Sequence, residues 1–138
     1  MSLTAADVMT RRMFTLTGDD SVELARELCR NHRVRHIPIV DGRYRLVGLV
    51  SDGDVLRSLS PFTHTAAERD RDRFTLRRPI HQIMTRVPET IIADVDLREC
   101  ARRMSGRGVG SLPVVDGETL VGIVTWQDVL AAVADGRI

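Results

Sequence analysis

Residues 35–56 read RHIPIVDGRYRLVGLVSDGDVL, and residues 110–130 repeat the pattern as GSLPVVDGETLVGIVTWQDVL. Pro38 and Pro113 lie 75 residues apart, whereas Gly48 and Gly122 lie 74 apart, so the copies differ by one residue in the turn. An internal repeat of this length indicates two copies of one structural unit, each with about half of a core. We therefore expect function to lie where the two copies meet.

The segments before these stretches repeat as well. Val8-Met9-Thr10 matches Ile83-Met84-Thr85, which follows 75 residues later. Each copy is predicted to run as short helix, strand, helix, strand, hairpin, strand and helix. In copy one we expect a short strand at 13–16, then a helix that begins at an Asp20/Ser21 cap and ends near Arg30. In copy two an apolar stripe at i, i+3, i+4 and i+7 predicts the matching amphipathic helix, through Leu97, Cys100, Ala101 and Met104.

Two hairpins follow from Asp-Gly pairs between apolar runs. The predicted strands are 36–40 and 44–50 in copy one, and 111–115 and 120–124 in copy two. The second strand of each hairpin is almost continuously apolar, as expected for a strand that is covered on both faces. Gly48 and Gly122 interrupt these strands at the same point, which indicates either the close approach of a ligand or another backbone, or a β-bulge.

Composition limits the classes of function. The 138 residues include 20 basic and 19 acidic side chains, and a net charge of +1 gives no general attraction to nucleic acid or an anionic membrane. No apolar run approaches the roughly 20 residues that span a bilayer, and no signal-peptide core is present at the N-terminus.

Cys29 and Cys100 lie on apolar helical stripes, which indicates reduced core thiols and a cytoplasmic protein. The sequence has no Gly-x-Ser-x-Gly, His-Glu-x-x-His or phosphate-loop motif, so we expect no enzyme activity.

Each hairpin ends in the pattern Gly, two apolar residues, Ser/Thr, two free positions and Asp. Ser51 with Asp54 and Thr125 with Asp128 stand where a strand ends and a helix begins. One interpretation is structural, since a hydroxyl there caps the helix and the carboxylate favours the positive end of the helix dipole. The other is functional, because a helix N-terminus attracts anions and a carboxylate one turn later can accept hydrogen bonds from ribose hydroxyls. The occurrence of the pattern in both copies favours the functional interpretation.

The paired pattern resembles the CBS domain, named for cystathionine β-synthase, which commonly occurs in tandem as a Bateman module. The resemblance covers about residues 4–56 and 79–134 and includes the Val-Met-Thr and Ile-Met-Thr starts, the Pro-containing hairpins and both Ser/Thr-x-x-Asp ends. It implies an α+β or α/β fold of two pseudo-twofold-related β-α-β-β-α repeats that pack through their small sheets. We accordingly divide the chain into repeat one (4–60), a connector (61–78) and repeat two (79–136).

The resemblance also implies a function. The chain is expected to be a regulatory module that binds an adenosine compound in clefts between the repeats and signals energy or metabolite state. AMP, ADP and ATP are the leading ligands and S-adenosylmethionine is a further candidate, while no cofactor or metal is required. The alternative is a structural or interaction module without a nucleotide. The expected nucleotide-binding residues are Thr15, Arg35, His36, Ile37, Pro38, Ser51, Asp54, Arg107, Ser111, Leu112, Pro113, Thr125 and Asp128.

The two copies differ before the proline strand. Copy one has Arg33, Arg35 and His36 there, whereas copy two has mainly Arg107 and glycines. In nucleotide-binding members of the family, basic residues at this place meet ligand phosphates, and charge-assisted contacts of this kind are strong. The alternative is that the two arginines are ordinary surface residues and that the histidine forms its hydrogen bonds within the protein. A phosphate contact could also cross from one copy to the cleft of the other.

Partners are expected to include a second copy of the chain and an unidentified effector protein, but neither nucleic acid nor a membrane. Family modules pair through their last helices, which here carry additional apolar residues, namely Val55, Leu56, Leu59, Val129, Leu130 and Val133. The connector has the alternating charges of residues 68–73, which predict a solvated segment or else a docking strip. Trp126 either flanks a bound base or packs against a neighbouring subunit.

Two further patterns have competing interpretations. Gly106, Gly108 and Gly110 resemble a phosphate loop, but they follow a helix and precede a strand, so a helix C-cap at Gly106 is the better interpretation. Cys29 with two nearby histidines, His32 and His36, suggests a metal site. No second ligand pair stands near them in the sequence, which argues against that site.

Overall fold

The structure, a computed structural model, describes residues 2–59 and 73–138. It is a mixed α/β fold with two small antiparallel sheets, which confirms the predicted fold class. The helices are α1 (Ala5–Val8), α2 (Val22–His32), α3 (Asp52–Ser58), α4 (Leu97–Arg107) and α5 (Trp126–Ala134), with a 3₁₀ turn at Ile80–Gln82. The strands are β1 (His36–Val40), β2 (Leu46–Ser51), β3 (Thr85–Arg86), β4 (Ser111–Asp116) and β5 (Thr119–Thr125).

The described residues form two compact units that do not follow the order of the repeats. The repeat-one unit consists of residues 14–43, 47–59 and 73–87, and the repeat-two unit of residues 2–13, 44–46 and 88–138. Each unit therefore contains the opening segment of the other repeat. Val8-Met9-Thr10 belongs to the repeat-two unit, and Ile83-Met84-Thr85 belongs to the repeat-one unit.

The hydrophobic cores show the same exchange. In the repeat-two unit, Ala5 and Met9 from the start of the chain are buried with α4, β4 and β5 side chains such as Leu97, Leu112 and Val124. In the repeat-one unit, Ile80 from the start of repeat two is buried with Leu16 and with side chains of α2, β1, β2 and α3, namely Val22, Ala25, Ile37, Ile39, Val50 and Val55. Burial of apolar area is the main source of fold stability, so each unit depends on both repeats.

Backbone pairing holds the opening segment of each repeat against the hairpin of the other repeat. Thr10 and Ile123 exchange two hydrogen bonds, of 2.9 and 3.0 Å, across an antiparallel bridge in the repeat-two unit. In the repeat-one unit β3 pairs with β2, and Leu49 stands opposite Thr85. The opening segments of the two repeats therefore pair with equivalent strands, on the same side of each hairpin.

The strand-interior glycines accommodate methionine side chains. A Cβ added at Gly122 would lie 2.5 Å from the Met9 sulfur, and one at Gly48 would lie 2.5 Å from the Met84 sulfur. Gly122 also borders a bulge, because the register with β4 shifts between Val114 and Val115. Both glycines therefore allow the close approach of a methionine side chain from the opening segment of the other repeat, and Gly122 also lies next to a bulge.

The long helices begin at capping side chains and end in left-handed residues. Ser21 Oγ accepts from the Leu24 N–H at 3.2 Å, and an Asp96 side-chain oxygen accepts from the Arg98 N–H at 2.8 Å. The predicted cap at Gly106 is wrong, because α4 continues to Arg107 and its C-cap is Gly108, where φ is +66°. Arg33 takes the matching place after α2 with φ of +54°, a conformation that costs a non-glycine residue free energy. The α2 helix extends two residues beyond the predicted end at Arg30.

The first predicted strand is reduced to a single bridge. Only Leu16 pairs with β1, through its N–H to the Pro38 carbonyl at 3.2 Å and its carbonyl to the Val40 N–H at 2.9 Å. The next residue turns away, since the Thr17 N–H is taken by the Asp20 carboxylate at 2.8 Å. β2 begins at Leu46 and not at Tyr44, because Tyr44 has a φ of +60°, which a strand does not accommodate.

Part of the connector lies outside the described residues. These include Pro61, His64 and the charged positions 68–72, so the prediction of a solvated segment or docking strip there stays a prediction. After the gap, the Arg78 carbonyl accepts from the Val22 N–H at 2.9 Å, which ties this part of the chain to the start of α2. Among residues 2–59 and 73–138, no helix has the length and apolar character needed to cross a membrane.

The methionine–glycine contacts can be tested by adding one carbon. We expect Gly48→Ala and Gly122→Ala each to destabilise the fold by about 1–3 kcal/mol, because the new methyl group has no room beside the methionine sulfur. Thermal and urea unfolding measure the change.

Gly106→Ala is the control, since an added Cβ there meets no atom within 4 Å. It should raise stability by about 0.5–1 kcal/mol, as expected when alanine replaces a glycine inside a helix. The double variant Met9→Ala/Gly122→Ala should lose less than the sum of its two single changes. Full stability in both single glycine variants would show that these contacts do not constrain the fold.

Candidate functional site

The Thr125–Asp128 pair closes a capping box at the start of α5 in the repeat-two unit. The Thr125 N–H donates to Asp128 Oδ2 at 2.8 Å, and the Thr125 hydroxyl lies 3.3 Å from the same oxygen. No atom of the described residues contacts the other carboxylate oxygen, Asp128 Oδ1, as a hydrogen-bond or ion-pair partner. The pair is partly buried, so one acceptor of this carboxylate remains open at the strand–helix junction.

The Ser51–Asp54 pair forms the same box at the start of α3 in the repeat-one unit. The Ser51 N–H donates to Asp54 Oδ2 at 2.8 Å, and Ser51 Oγ accepts from the Asp54 N–H at 3.1 Å. Here the second carboxylate oxygen is engaged, because Arg57 Nη2 lies 2.5 Å from Asp54 Oδ1. The structure therefore supports the capping interpretation for both pairs and leaves a free acceptor in only one of them.

Capping boxes of this type are not specific to the two junctions. A capping box at the start of α1 has the Thr4 N–H donating to Asp7 Oδ2 at 2.8 Å, and a turn before α2 has the Thr17 N–H donating to Asp20 Oδ2 at the same distance. Both of these contacts are exposed, whereas the boxes at the hairpin ends are partly buried. Their position next to the hairpin strands, and not their local geometry, distinguishes the candidate site residues.

The helix N–H groups near these boxes are largely in use. The Asp52 N–H donates to the Arg35 carbonyl at 2.9 Å, and the Trp126 N–H donates to the Gly110 carbonyl at 3.1 Å. In α3 the Gly53 N–H also bonds to the Asp52 carboxylate at 2.9 Å. At the start of α3 these N–H groups are therefore bound by the Asp52 side chain and by the Arg35 carbonyl just before β1, and an anion-binding role for this helix start stays a prediction.

Ser111 stands opposite Thr125 in the β4–β5 register. Directly opposed residues project to the same face of a sheet, so their side chains are neighbours. Ser111 is only 2% exposed, and its hydroxyl has no hydrogen-bond partner among the described residues. A buried hydroxyl without a partner costs free energy, which makes Ser111 an unsatisfied donor and acceptor beside the Thr125–Asp128 pair.

His36 takes the place of Ser111 in the repeat-one unit. It is half-buried at the start of β1, and the loss of solvent there lowers the pKa of its imidazole. Asp52 and Asp54 oppose that change, and Arg35 adds to it. The neutral imidazole is therefore the favoured form in the folded chain, with both a donor and an acceptor nitrogen.

Several predicted site residues have other roles in the structure. Ile37 and Leu112 are fully buried in the two cores, and Pro38 and Pro113 are also fully buried. Thr15 is half-buried in the extended segment before the Leu16 bridge. Ligand roles for these five residues stay predictions.

The predicted basic residues lie on the surface. Arg35 is exposed, and its backbone carbonyl holds the start of α3. Arg107, at the end of α4, forms an ion pair with Glu89 at 3.7 Å. Arg57 was not among the predicted residues, although its place three residues after Asp54 is a usual spacing for an ion pair on a helix. Copy two has Ala131 at the corresponding position, so a comparison of the repeats would have indicated it.

Two cavities lie in the repeat-two unit. A shallow groove of about 390 Å³ between parts of α4 and α5 is lined by apolar side chains, among them Met104, Val109, Trp126, Val129 and Leu130. A second cavity of about 440 Å³ is lined by Met9 and Val121 together with charged side chains, namely Arg11, Asp94 and Asp116. Sequence reasoning did not find the second cavity, because it combines the exchanged start of repeat one with residues of repeat two.

The metal interpretation gains no support from the geometry. Within residues 2–59 and 73–138, no three His, Cys, Asp or Glu side chains are grouped in a way that could hold an ion. Cys29 is half-buried and Cys100 is buried, and in both cases desolvation raises the thiol pKa. Both cysteines are free, which fits core packing better than ligation.

Comparison with known proteins identifies the family. The CBS domain model matches residues 5–61 and 80–135, which together make up most of the chain. The chain belongs to the CBS domain family. A CBS domain-containing protein of Dictyostelium discoideum is 30% identical over 132 residues, with 94% of this chain and 90% of that protein aligned.

Other curated relatives of the CBS pair are longer proteins. The chain spans 31% of an uncharacterized protein of Methanocaldococcus jannaschii, to which it is 30% identical over 131 residues. It also spans 23% of the inosine-5'-monophosphate dehydrogenase of Korarchaeum cryptofilum, at 32% identity.

Solved CBS pairs have the same fold. The CBS domain pair of MJ0100, in complex with 5'-methylthioadenosine and S-adenosyl-L-methionine, superposes with a TM-score of 0.82 at 25% identity, covering 99% of both chains. CBSX2 in complex with AMP superposes with a TM-score of 0.80 at 28% identity, covering 98% of both chains. Both structures contain adenosine compounds.

His36 gives a pH dependence that can be measured. Because its pKa is lower in the folded chain than in the unfolded chain, the unfolded chain binds more protons as pH falls below about 6.5. The contribution of neutral His36 is fully present above that pH and is lost as pH falls toward the folded pKa. In His36→Ser, which installs the residue found at 111, urea unfolding should show a smaller loss of stability between pH 7.5 and 5.5. If the wild-type chain and His36→Ser lost the same free energy of unfolding between pH 7.5 and 5.5, the assignment of this pH dependence to His36 would be contradicted.

Proposed function

We propose that this CBS pair is a regulatory module that binds adenosine-containing nucleotides, AMP, ADP or ATP, and is not an enzyme. The observation that carries the proposal is the partly buried Ser/Thr-x-x-Asp box at the end of each hairpin, with the open oxygen of Asp128 in the repeat-two unit. Related CBS pairs bound to AMP, or to 5'-methylthioadenosine and S-adenosyl-L-methionine, support an adenosine ligand.

Ribose is the part of the ligand that a carboxylate at this position fits. The free Asp128 Oδ1 can accept from a ribose hydroxyl while Oδ2 continues to hold the Thr125 N–H. A charge-assisted hydrogen bond of this kind is stronger than one between neutral groups. The ligand therefore need not disrupt the cap of α5 when it binds.

Phosphate would be held by basic side chains near the strand starts. Arg35 is exposed, and the neutral imidazole of His36 can donate from one nitrogen. Arg107 is exposed as well and forms an ion pair with Glu89 at 3.7 Å. Arginine suits phosphate because its planar guanidinium can form two parallel hydrogen bonds. In this proposal the ribose selects adenosine compounds and the basic side chains discriminate among them by charge.

A homodimer is the assembly that we propose for this module. Leu56 is 68% exposed, and Leu130 and Val133 are each 54% exposed, on the last helix of each repeat. Val55, which was expected to join this apolar face, instead lies in the repeat-one core at 3% exposure. A second copy of the chain would cover these side chains. We also expect a cytoplasmic location. We further propose that an effector protein, not yet identified, binds the module according to its ligand state.

A scaffold without a ligand is the second candidate. It is favoured by the capping boxes themselves, since Thr4–Asp7 has the same geometry without being next to a hairpin strand. In that case Asp54 and Asp128 serve only as helix caps. Ligand binding distinguishes the two candidates.

Adenosine ligands should stabilise the fold if the proposal is correct. A ligand at about 100 times its dissociation constant adds about 2.7 kcal/mol to the folded state, which raises the melting temperature by roughly 10 °C in a chain of this size. A thermal-shift series with adenosine, AMP, ADP, ATP and S-adenosylmethionine measures this effect, with guanosine and cytidine nucleotides as controls. The absence of any shift at millimolar concentration would support the scaffold.

Asp128→Ala should weaken nucleotide binding by roughly 10–150-fold, because it removes a charged acceptor for ribose. The substitution also removes a helix cap, so its control is Asp7→Ala, which opens an equivalent box at α1. Calorimetric titration with AMP should show a large loss for Asp128→Ala and wild-type affinity for Asp7→Ala. Equal affinities in both variants would make Asp128 a helix cap only.

A further inference from the structure

The two aspartates of the hairpin ends differ in what occupies their second oxygen. Arg57 lies against Asp54 Oδ1 at 2.5 Å, whereas Asp128 Oδ1 has no partner among residues 2–59 and 73–138. The repeats explain the difference, because the position of Arg57 in copy one is Ala131 in copy two. A ribose that approaches Asp54 must compete with a cation already bound there.

A second difference between the repeats makes room for this cation. A Cβ added at Gly53 would lie 3.1 Å from Arg57 Nη1, so the guanidinium lies against the backbone at the start of α3. Copy two has Gln127 at the corresponding position. The combination of Gly53 with Arg57 in one copy, and of Gln127 with Ala131 in the other, accounts for a filled acceptor and an open one.

Ser111 provides an independent observation on the open side. Its hydroxyl is buried, has no partner in the described part of the chain and lies on the same face as Thr125. An unsatisfied hydroxyl opposite Thr125, the residue that Asp128 caps, is suited to a polar, uncharged group of a ligand. His36 occupies this place in the repeat-one unit, with Arg35 next to it.

We propose that Arg57 is a built-in competitor for ribose in the repeat-one unit, so that uncharged adenosine ligands bind only at Asp128 and Ser111. A ligand with a 5'-phosphate offers Arg57 another anion, and the guanidinium can leave Asp54 for the phosphate. The repeat-one unit would then accept phosphorylated adenosine compounds alone. This inference rests on the proposed function, and it adds a ligand class for each unit.

The side chain of Arg57 is well placed for such an exchange. It is 73% exposed, whereas the carboxylate that it holds is 19% exposed. Because the guanidinium is largely in solvent, its pairing with the carboxylate contributes little net free energy, so a competing phosphate can displace the carboxylate. A ribose hydroxyl without a phosphate brings no replacement charge for Arg57.

Binding stoichiometry tests the proposal. Calorimetric titration of the wild-type chain should give one equivalent of 5'-methylthioadenosine, which has no phosphate, and two equivalents of AMP. Arg57→Ala, which installs the residue found at 131, should bind two equivalents of 5'-methylthioadenosine. Because Arg57 is exposed, this variant is expected to keep the wild-type melting temperature without ligand.

The reciprocal variant is Gln127→Gly/Ala131→Arg, which places the competitor beside Asp128. It should lower the affinity for 5'-methylthioadenosine by roughly tenfold or more and retain AMP binding. The proposal is overturned if the wild-type chain binds two equivalents of 5'-methylthioadenosine, or if Arg57→Ala still binds one. A wild-type chain that binds neither compound would instead overturn the proposed function itself, so the two failures are distinguishable.

Discussion

The contact of a methionine side chain with a strand-interior glycine is the constraint on which both units depend. Met9 occupies the space beside Gly122, and Met84 occupies the space beside Gly48. Each methionine comes from the start of one repeat and each glycine from the hairpin of the other. Each core is therefore completed by a segment from the other repeat, and the chain folds as an interdependent pair even though its sequence reads as two copies in series.

In the candidate site, the same carboxylates serve both the fold and a possible ligand. At the ends of β2 and β5, one carboxylate oxygen caps a helix, which leaves the other for a partner. In the repeat-one unit that partner is the chain's own Arg57, whereas in the repeat-two unit no described residue occupies the position. Residues that build the fold and residues that would bind a ligand are thus the same, so ligand binding and fold stability should be coupled.

Much of this architecture could be predicted from the sequence. The repeat, the Asp-Gly hairpins and the strand–helix junctions follow from patterns of neighbouring residues, and the structure contains them at nearly the expected positions. The exchange of the starts could not be predicted, because two similar copies offer equivalent packing partners and periodicity does not tell which one is used. The sequence predicts a helix cap at Gly106, but three nearby glycines can all cap a helix, and only the backbone angles select Gly108. The Arg57 contact depends on a side-chain conformation that sequence spacing permits without requiring.

A crystal structure of the chain grown with AMP is the most direct test of the central claim that this CBS pair binds adenosine through its hairpin ends. We expect a ribose hydroxyl within hydrogen-bond distance of Asp128 Oδ1, with the Thr125 N–H still bound to Oδ2. A nucleotide bound away from both aspartates, or crystals without nucleotide at saturating concentration, would contradict the account.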